Sequence, residues 1–290
     1  ALTFPPGAVI RTLLRDYAPE ELAGGSTLFH EHLSLAPDFM DKFRAAAAAV
    51  RALNESTPLG AAPAASNAAA SRPPASGPAS GPTTDITAMI ADINQAKGAG
   101  VACIVDAGHP DMGRDVDFAR QVSMQTGMPI VACAGFYSQP YYPASIATMS
   151  EDDIVQALLE QIAANPTGAL GEIGSWDEMT SDERKVFRAV GRVQVATNLP
   201  IITHTGIPGK AAIEQLNILE DMGVNPASVV IGHLGNLVDA NVYVHKTLCR
   251  RGAFIGFDRQ GGNGDAQVVP MVLALLDAGY ADHLLFSADA

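Results

Sequence analysis

Positive charge is what this chain has least of. Its 18 lysines and arginines stand against 31 aspartates and glutamates, a formal net charge of −13 over 290 residues. Nucleic acid and anionic membrane surfaces are bound through basic patches, so neither is expected as a partner. Long apolar runs are missing too. Nothing approaches the roughly 20 residues that a membrane-spanning helix needs, and no membrane association is expected. No basic-then-apolar leader precedes Ala1. A cytoplasmic protein and an exported bacterial protein with its leader removed both stay open. Cysteine is scarce: Cys103, Cys133 and Cys249 are odd in number and lack C-x-x-C spacing. They read as free buried thiols, fitting a reducing compartment without excluding export. No G-x-G-x-x-G follows an early strand, which weighs against a dinucleotide-binding sheet.

The apolar fraction of 48% supports a sizeable core. Residues 59–82 are nearly all Ala, Pro, Ser and Gly, too poor in burial to offset ordering entropy, and predict a mobile insertion. From there on, helix-like and strand-like segments alternate. Helices are expected at 85–99, 111–125, 151–164, 181–196, 209–222, 236–250 and 266–278. Strands are expected at 27–33, 101–106, 129–134, 169–172, 200–204, 228–233, 253–258 and 283–289. The strands are continuously apolar and β-branched, as parallel strands covered on both faces should be. Eight strands with seven intervening helices predict an α/β fold, a (β/α)8 TIM barrel formed by one domain over 1–290. An open doubly wound sheet is the alternative. The last helix is missing from this sequence, so an uncovered apolar flank and a longer natural chain are expected.

Several of these apolar runs end in residues that bind metals. The first closes on His30-Glu31-His32, and on a strand positions i and i+2 share a face, so both imidazoles can reach one ion while Glu31 points away. Others end in Glu172, His204, His233 and Asp289. Active sites of such barrels lie at the C-terminal ends of the strands. Four histidines and two carboxylates gathered there are a ligand set for two divalent ions sharing a bridge. Imidazole and carboxylate suit zinc, with manganese, cobalt or iron as alternatives. Taken singly, each residue has a plainer explanation: a core histidine for His204 or His233, an ion pair for Glu172, a helix cap for Asp289.

The ordered set His-x-His, Glu172, Thr203-His204-Thr205, Ile231-Gly232-His233 and Ser287-x-Asp289 resembles the phosphotriesterase-like family of the amidohydrolase superfamily. Arg11-Thr12, Glu20-Glu21-Leu22, Gly113-Arg114-Asp115 and Gly256-Phe257-Asp258 extend the similarity over nearly the whole chain, the insertion excepted. The resemblance implies that His30, His32 and Asp289 hold the more buried ion, and His204 and His233 the more exposed one. Many members bridge the pair with a carboxylated lysine; here that position holds Glu172, as in a glutamate branch. A hydroxide shared by two ions would then be the nucleophile. Asp289 would take its proton and pass it to the leaving group.

Two further residues bear on substrate. Tyr137 falls where members of the family carry an aromatic beside the metals, and its hydroxyl would orient a substrate oxygen. Arg259 resembles the Asp-Arg pair of the lactonase branch; a salt bridge to Asp258 or Asp265 is the alternative. His109 lies in the loop after the second strand, within reach of the mouth. Trp176 lines the entrance or covers the rim. The expected activity is hydrolysis of a small neutral ester or lactone, with promiscuous phosphotriester cleavage. Amide (N-acyl) hydrolysis and a noncatalytic binding barrel are the alternatives. Related barrels often pair, so a homodimer is carried as an expectation.

Overall fold

The computed structural model describes residues 4–56, 85–206, 209–237, 239–260 and 265–290, so the insertion expected at 59–82 lies outside the described residues. Eight parallel strands form one sheet in sequential order: β1 Ser26–Glu31, β2 Val101–Asp106, β3 Ile130–Ala134, β4 Ala169–Ser175, β5 Ile201–Thr205, β6 Val229–Ile231, β7 Phe254–Phe257 and β8 Leu284–Phe286. Between them run helices α1 Phe39–Ser56, α2 Ile86–Gly98, α3 Val116–Thr126, α4 Glu151–Ala164, α5 Ser181–Thr197, α6 Ala212–Asp221, α7 Tyr243–Arg251 and α8 Asp265–Asp277. This is the expected barrel.

Alternation along the strands divides the core in two. Cys103, Val105, Val131, Cys133, Ala169, Ile202 and Val230 pack together inside the barrel, closed below by Leu22. Their neighbours Ile104, Ile130, Ala132, Leu170, Ile201, Val229 and Ile255 pack outward against the helices. Cys103, Cys133 and Cys249 are free and buried. Helix starts are set by side chains that satisfy the first orphan amides. Asp85 and Asp115 accept from the amides two and three residues on, and Ser150 and Thr180 form capping boxes with Asp153 and Glu183.

Three differences from the sequence expectations matter. An 18-residue helix, α1, follows β1, where its alanine run had been given no element. The helix expected at 236–250 begins only at Tyr243, because Asp239 accepts the Val244 amide at 2.7 Å and caps the chain there. Strands β6 and β8 stop at Ile231 and Phe286, so His233 and Asp289 stand on the loops beyond them.

The barrel closes between β8 and β1 without a continuous ladder. Glu31, turned away from the neighbouring histidines, accepts Ser287 Oγ at 2.6 Å and the amides of Ala288 and Ala290 at 2.9 and 3.1 Å. Two backbone bonds join in, Asp289 N to His30 O at 3.2 Å and His32 N to Ala290 O at 2.9 Å. Val269, Leu273 and Leu276 of α8 and Phe286 of β8 are exposed.

Candidate metal centre

The six residues singled out as ligands meet at the C-terminal mouth. His30 and His32 lie with ring centroids 5.5 Å apart, and His30 and His233 with centroids 4.9 Å apart. Glu172 sits among all four imidazoles. Its Oε1 is 3.2 Å from His32 Nε2, and its Oε2 is 3.2 Å from His30 Nε2, 2.9 Å from His204 Nδ1 and 3.4 Å from His233 Nε2. Asp289 Oδ1 stands 3.2 Å from His32 Nε2 and 3.7 Å from His30 Nε2. His233 and Asp289 occupy the left-handed region, with φ of 62° and 56°. Side chains rarely settle there unless the surroundings hold them.

The donor set fits a pair of cations. His30, His32 and Glu172 form one group whose ligand atoms lie within 4.8 Å of one another, and Glu172, His204 and His233 form another. Glu172 is common to both. His30 Nε2 is buried without a hydrogen-bond partner. Such an orphan is costly in a closed interior unless something other than a protein group satisfies it.

A supporting layer fixes these side chains, and sequence reasoning missed most of it. Asp258 accepts from both His30 Nδ1 (2.9 Å) and His233 Nδ1 (2.8 Å), which turns the Nε2 atoms of both rings inward. From sequence it is marked only by the Gly256-Phe257-Asp258 motif and as a partner for Arg259. Arg259 instead donates from Nε to Asp289 Oδ2 at 2.9 Å. His109 is buried and does not line the cavity: its Nε2 is 2.9 Å from the Glu172 carbonyl oxygen, and its Nδ1 faces Asp111. Gln215 donates to the His204 carbonyl at 3.0 Å and accepts from Thr203 and Thr205 at 2.8 and 3.2 Å. A strand residue flanked by threonines was the available signal for such a network.

Charge is concentrated and mutually compensated. Burial opposes ionisation of Glu172, yet His204 and His30 hold its carboxyl well below the usual range. Asp258 and Asp289 are likewise held down against burial by the histidines around them. Burial works against the cationic form of His32, but Asp289 and Glu172 push its pKa up to about 10. His30 is raised well above its ordinary value by Glu172 and Asp258 against the same burial. His204 goes the other way, to about 4, because burial prevails over the attraction of Glu172. Burial and the Glu172 charge keep the Tyr137 phenol protonated, and its hydroxyl lies 3.1 Å from His204 Nδ1.

The centre opens into a cavity of about 610 Å³ lined by His32, Glu172, His204, Tyr137, Arg259 and Asp289 on one side and by Leu33, Leu35, Phe39, Met40 and Phe43 on the other. The unexpected helix α1 supplies the last three. Phe43 packs edge-on to His204 (6.4 Å between centroids) and stacks on Trp176 (5.9 Å). Trp176 also donates from Nε1 to the Gln139 carbonyl, so it braces the rim.

This arrangement has counterparts. An aryldialkylphosphatase of Saccharolobus solfataricus is 32% identical over 209 residues, 69% of this chain and 66% of that protein. The N-acetyltaurine hydrolase of Mus musculus is 28% identical over 217 residues, covering 67% of this chain and 60% of its own. The chain thus spans just under two thirds of the length of both relatives. The crystal structure of the lactonase Lmo2620 from Listeria monocytogenes superposes with a TM-score of 0.75 at 25% identity, over 97% of this chain and 82% of that one. The sequence profile of the Phosphotriesterase family matches residues 16–290, and with the barrel and its His/Glu cluster in view, the chain belongs to that family.

Proposed function

We propose that this chain is a binuclear metal-dependent hydrolase of small neutral carboxyl esters or lactones, with phosphotriester cleavage as a side activity. The observation that carries the proposal is the buried Glu172 carboxylate, whose two oxygens are divided among four imidazoles. His30, His32 and Asp289 would hold one divalent ion, His204 and His233 the other, and Glu172 both. Zinc suits these donors best, with manganese, cobalt or iron as alternatives. When bound, such a pair polarises a substrate oxygen and makes water nucleophilic near neutral pH.

The chain's own groups do the rest. Arg259 occupies Asp289 Oδ2 and leaves Oδ1 facing the cluster. Ionised at neutral pH, Asp289 is an acceptor for the proton of the attacking water and returns it to the leaving group. Tyr137 keeps its proton and donates a hydrogen bond to the substrate oxygen where charge develops. Leu35, Phe39, Met40 and Phe43 exclude water above the reacting bond. The cavity wall is largely apolar, with Leu28, Leu33, Leu35, Ile93 and Ile104 beside the aromatic residues, a lining that suits a small neutral substrate. A second reading, cleavage of an N-acyl amide, draws on the similarity to N-acetyltaurine hydrolase.

Protein reconstituted with zinc, manganese or cobalt is to be screened against lactones, aryl esters, N-acyl amides and phosphotriesters. The expected result is about two equivalents of metal and chelator-sensitive turnover, fastest on lactone or ester. Fastest turnover of amides would hand the assignment to the second reading. Stable, metal-free, inactive protein would instead mark a binding barrel.

A further inference from the structure

We propose that His109 is a positioning residue: clamped by Asp111, its imidazole holds the backbone of Glu172 and couples the place of that carboxylate to the place of Tyr137. The inference rests on the metal-centre reading above. It starts from a gap in the sheet. The pairing of β4 with β5 shifts between Leu170 and Ile173, so Glu172 falls where the ladder is irregular. Its backbone is taken instead by the loop after β2. The Glu172 amide donates to the Ala107 carbonyl at 2.7 Å, and its carbonyl accepts from His109 Nε2 at 2.9 Å. A carbonyl is an acceptor only, so Nε2 is the donor.

The ring is completely buried, and among the described residues the groups able to hold a metal do not include it. Asp111 faces Nδ1 with one oxygen, while its other oxygen accepts the Tyr137 amide at 2.9 Å. One chain of contacts therefore runs from the Glu172 carbonyl through His109 and Asp111 to the backbone of Tyr137. It ties β4 to the loop after β3. Gly135 leaves room for the ring, since a Cβ at that position would come within 3.2 Å of it. Loss of a group that orients a ligand typically costs roughly 10–100-fold in metal affinity or activity.

The test compares His109→Ala, His109→Gln and Asp111→Asn with the parent chain. Zinc affinity is measured by competition with a chromophoric chelator, visible absorption on the cobalt-loaded protein, Tm on the metal-free protein, and kcat and KM on the best substrate of the screen. His109→Ala and Asp111→Asn are expected to bind zinc about 10–100-fold more weakly, with an altered cobalt spectrum. Their kcat should fall while KM stays within about threefold of the parent. His109→Gln keeps an N–H donor and should recover much of the affinity. If His109→Ala fails to fold, His109→Gln and Asp111→Asn carry the comparison. Parental zinc affinity and cobalt spectrum in the variants, even with a lowered Tm, would overturn the positioning role and leave the metal centre standing. A parent chain that takes up no metal would overturn both.

Discussion

Glu172 and His204 stand on adjacent strands whose neighbourhood is held by Gln215, Thr203 and Thr205, with His109 and Ala107 gripping the Glu172 backbone. Asp289 and His32 stand across the mouth, on a segment where two backbone bonds and the Glu31 carboxylate do the fastening. The first side is built from buried groups that share many partners. The second lacks a strand ladder and is fastened chiefly through one carboxylate, Glu31, which accepts three of its bonds. The difference teaches that ligands of one centre need not be equally secure, and that the proposed proton acceptor lies on the weaker side.

The largest expected effect falls on the feature that joins the two sides. Glu172→Ala should remove the bridge, reduce bound metal below two equivalents by elemental analysis, and lower kcat/KM by far more than the roughly 100-fold ceiling of a supporting-residue change. Retention of both metals with full rate would sink the assignment of the bridge. Next comes the seam. Glu31→Ala strands one buried donor, Ser287 Oγ, worth about 1–3 kcal/mol when unsatisfied, and releases the amides of Ala288 and Ala290 to solvent, so Tm should drop by roughly 3–8 °C. Activity should fall about 10–100-fold through misplacement of Asp289. Gln215→Leu is the matching change on the other side, expected to lower Tm comparably by calorimetry. If it harmed activity more than Glu31→Ala does, the ranking of the two sides would be reversed.

The comparison also has a pH form, best read in metal-free protein. His32 has its pKa raised from 6.5 to about 10, so its contribution to stability is complete below about 6.5 and is lost as pH rises toward 10. His204 is lowered to about 4, so the unfolded chain binds the extra proton, and stability falls as pH drops from 6.5 toward 4. Thermal melts across pH 4–10 should therefore peak near neutrality. A curve still rising at pH 9 would contradict the His32 assignment. Because metal must displace protons from His30 and His32, zinc affinity should increase with pH through the same upper window. The smallest effect is reserved for the apolar wall: Phe43→Ala should raise KM for apolar substrates about 3–10-fold and leave kcat nearly unchanged.

The barrel was legible in the chain because parallel strands covered on both faces leave continuous apolar runs, and the residues that meet at its mouth were legible because each closes or shortly follows such a run. What escaped was decided by contacts distant in sequence. Asp258 orients His30 from 228 positions away, and nothing local to Gly-Phe-Asp-Arg announces it. Arg259 chose Asp289 over the nearer acids because β7 and β8 end side by side at the mouth. Helix α1 was hidden by composition: its alanine run dilutes an apolar stripe that Phe39 and Phe43 begin, one helical turn apart. The capping of α7 by Asp239 cut short a pattern whose periodicity ran further.

The clasp at Glu31 makes the cylinder a strip whose two ends are buttoned rather than woven. Amide exchange at Ala288 and Ala290 should therefore outpace exchange at Val131 and Ala132, within the β2–β3 ladder.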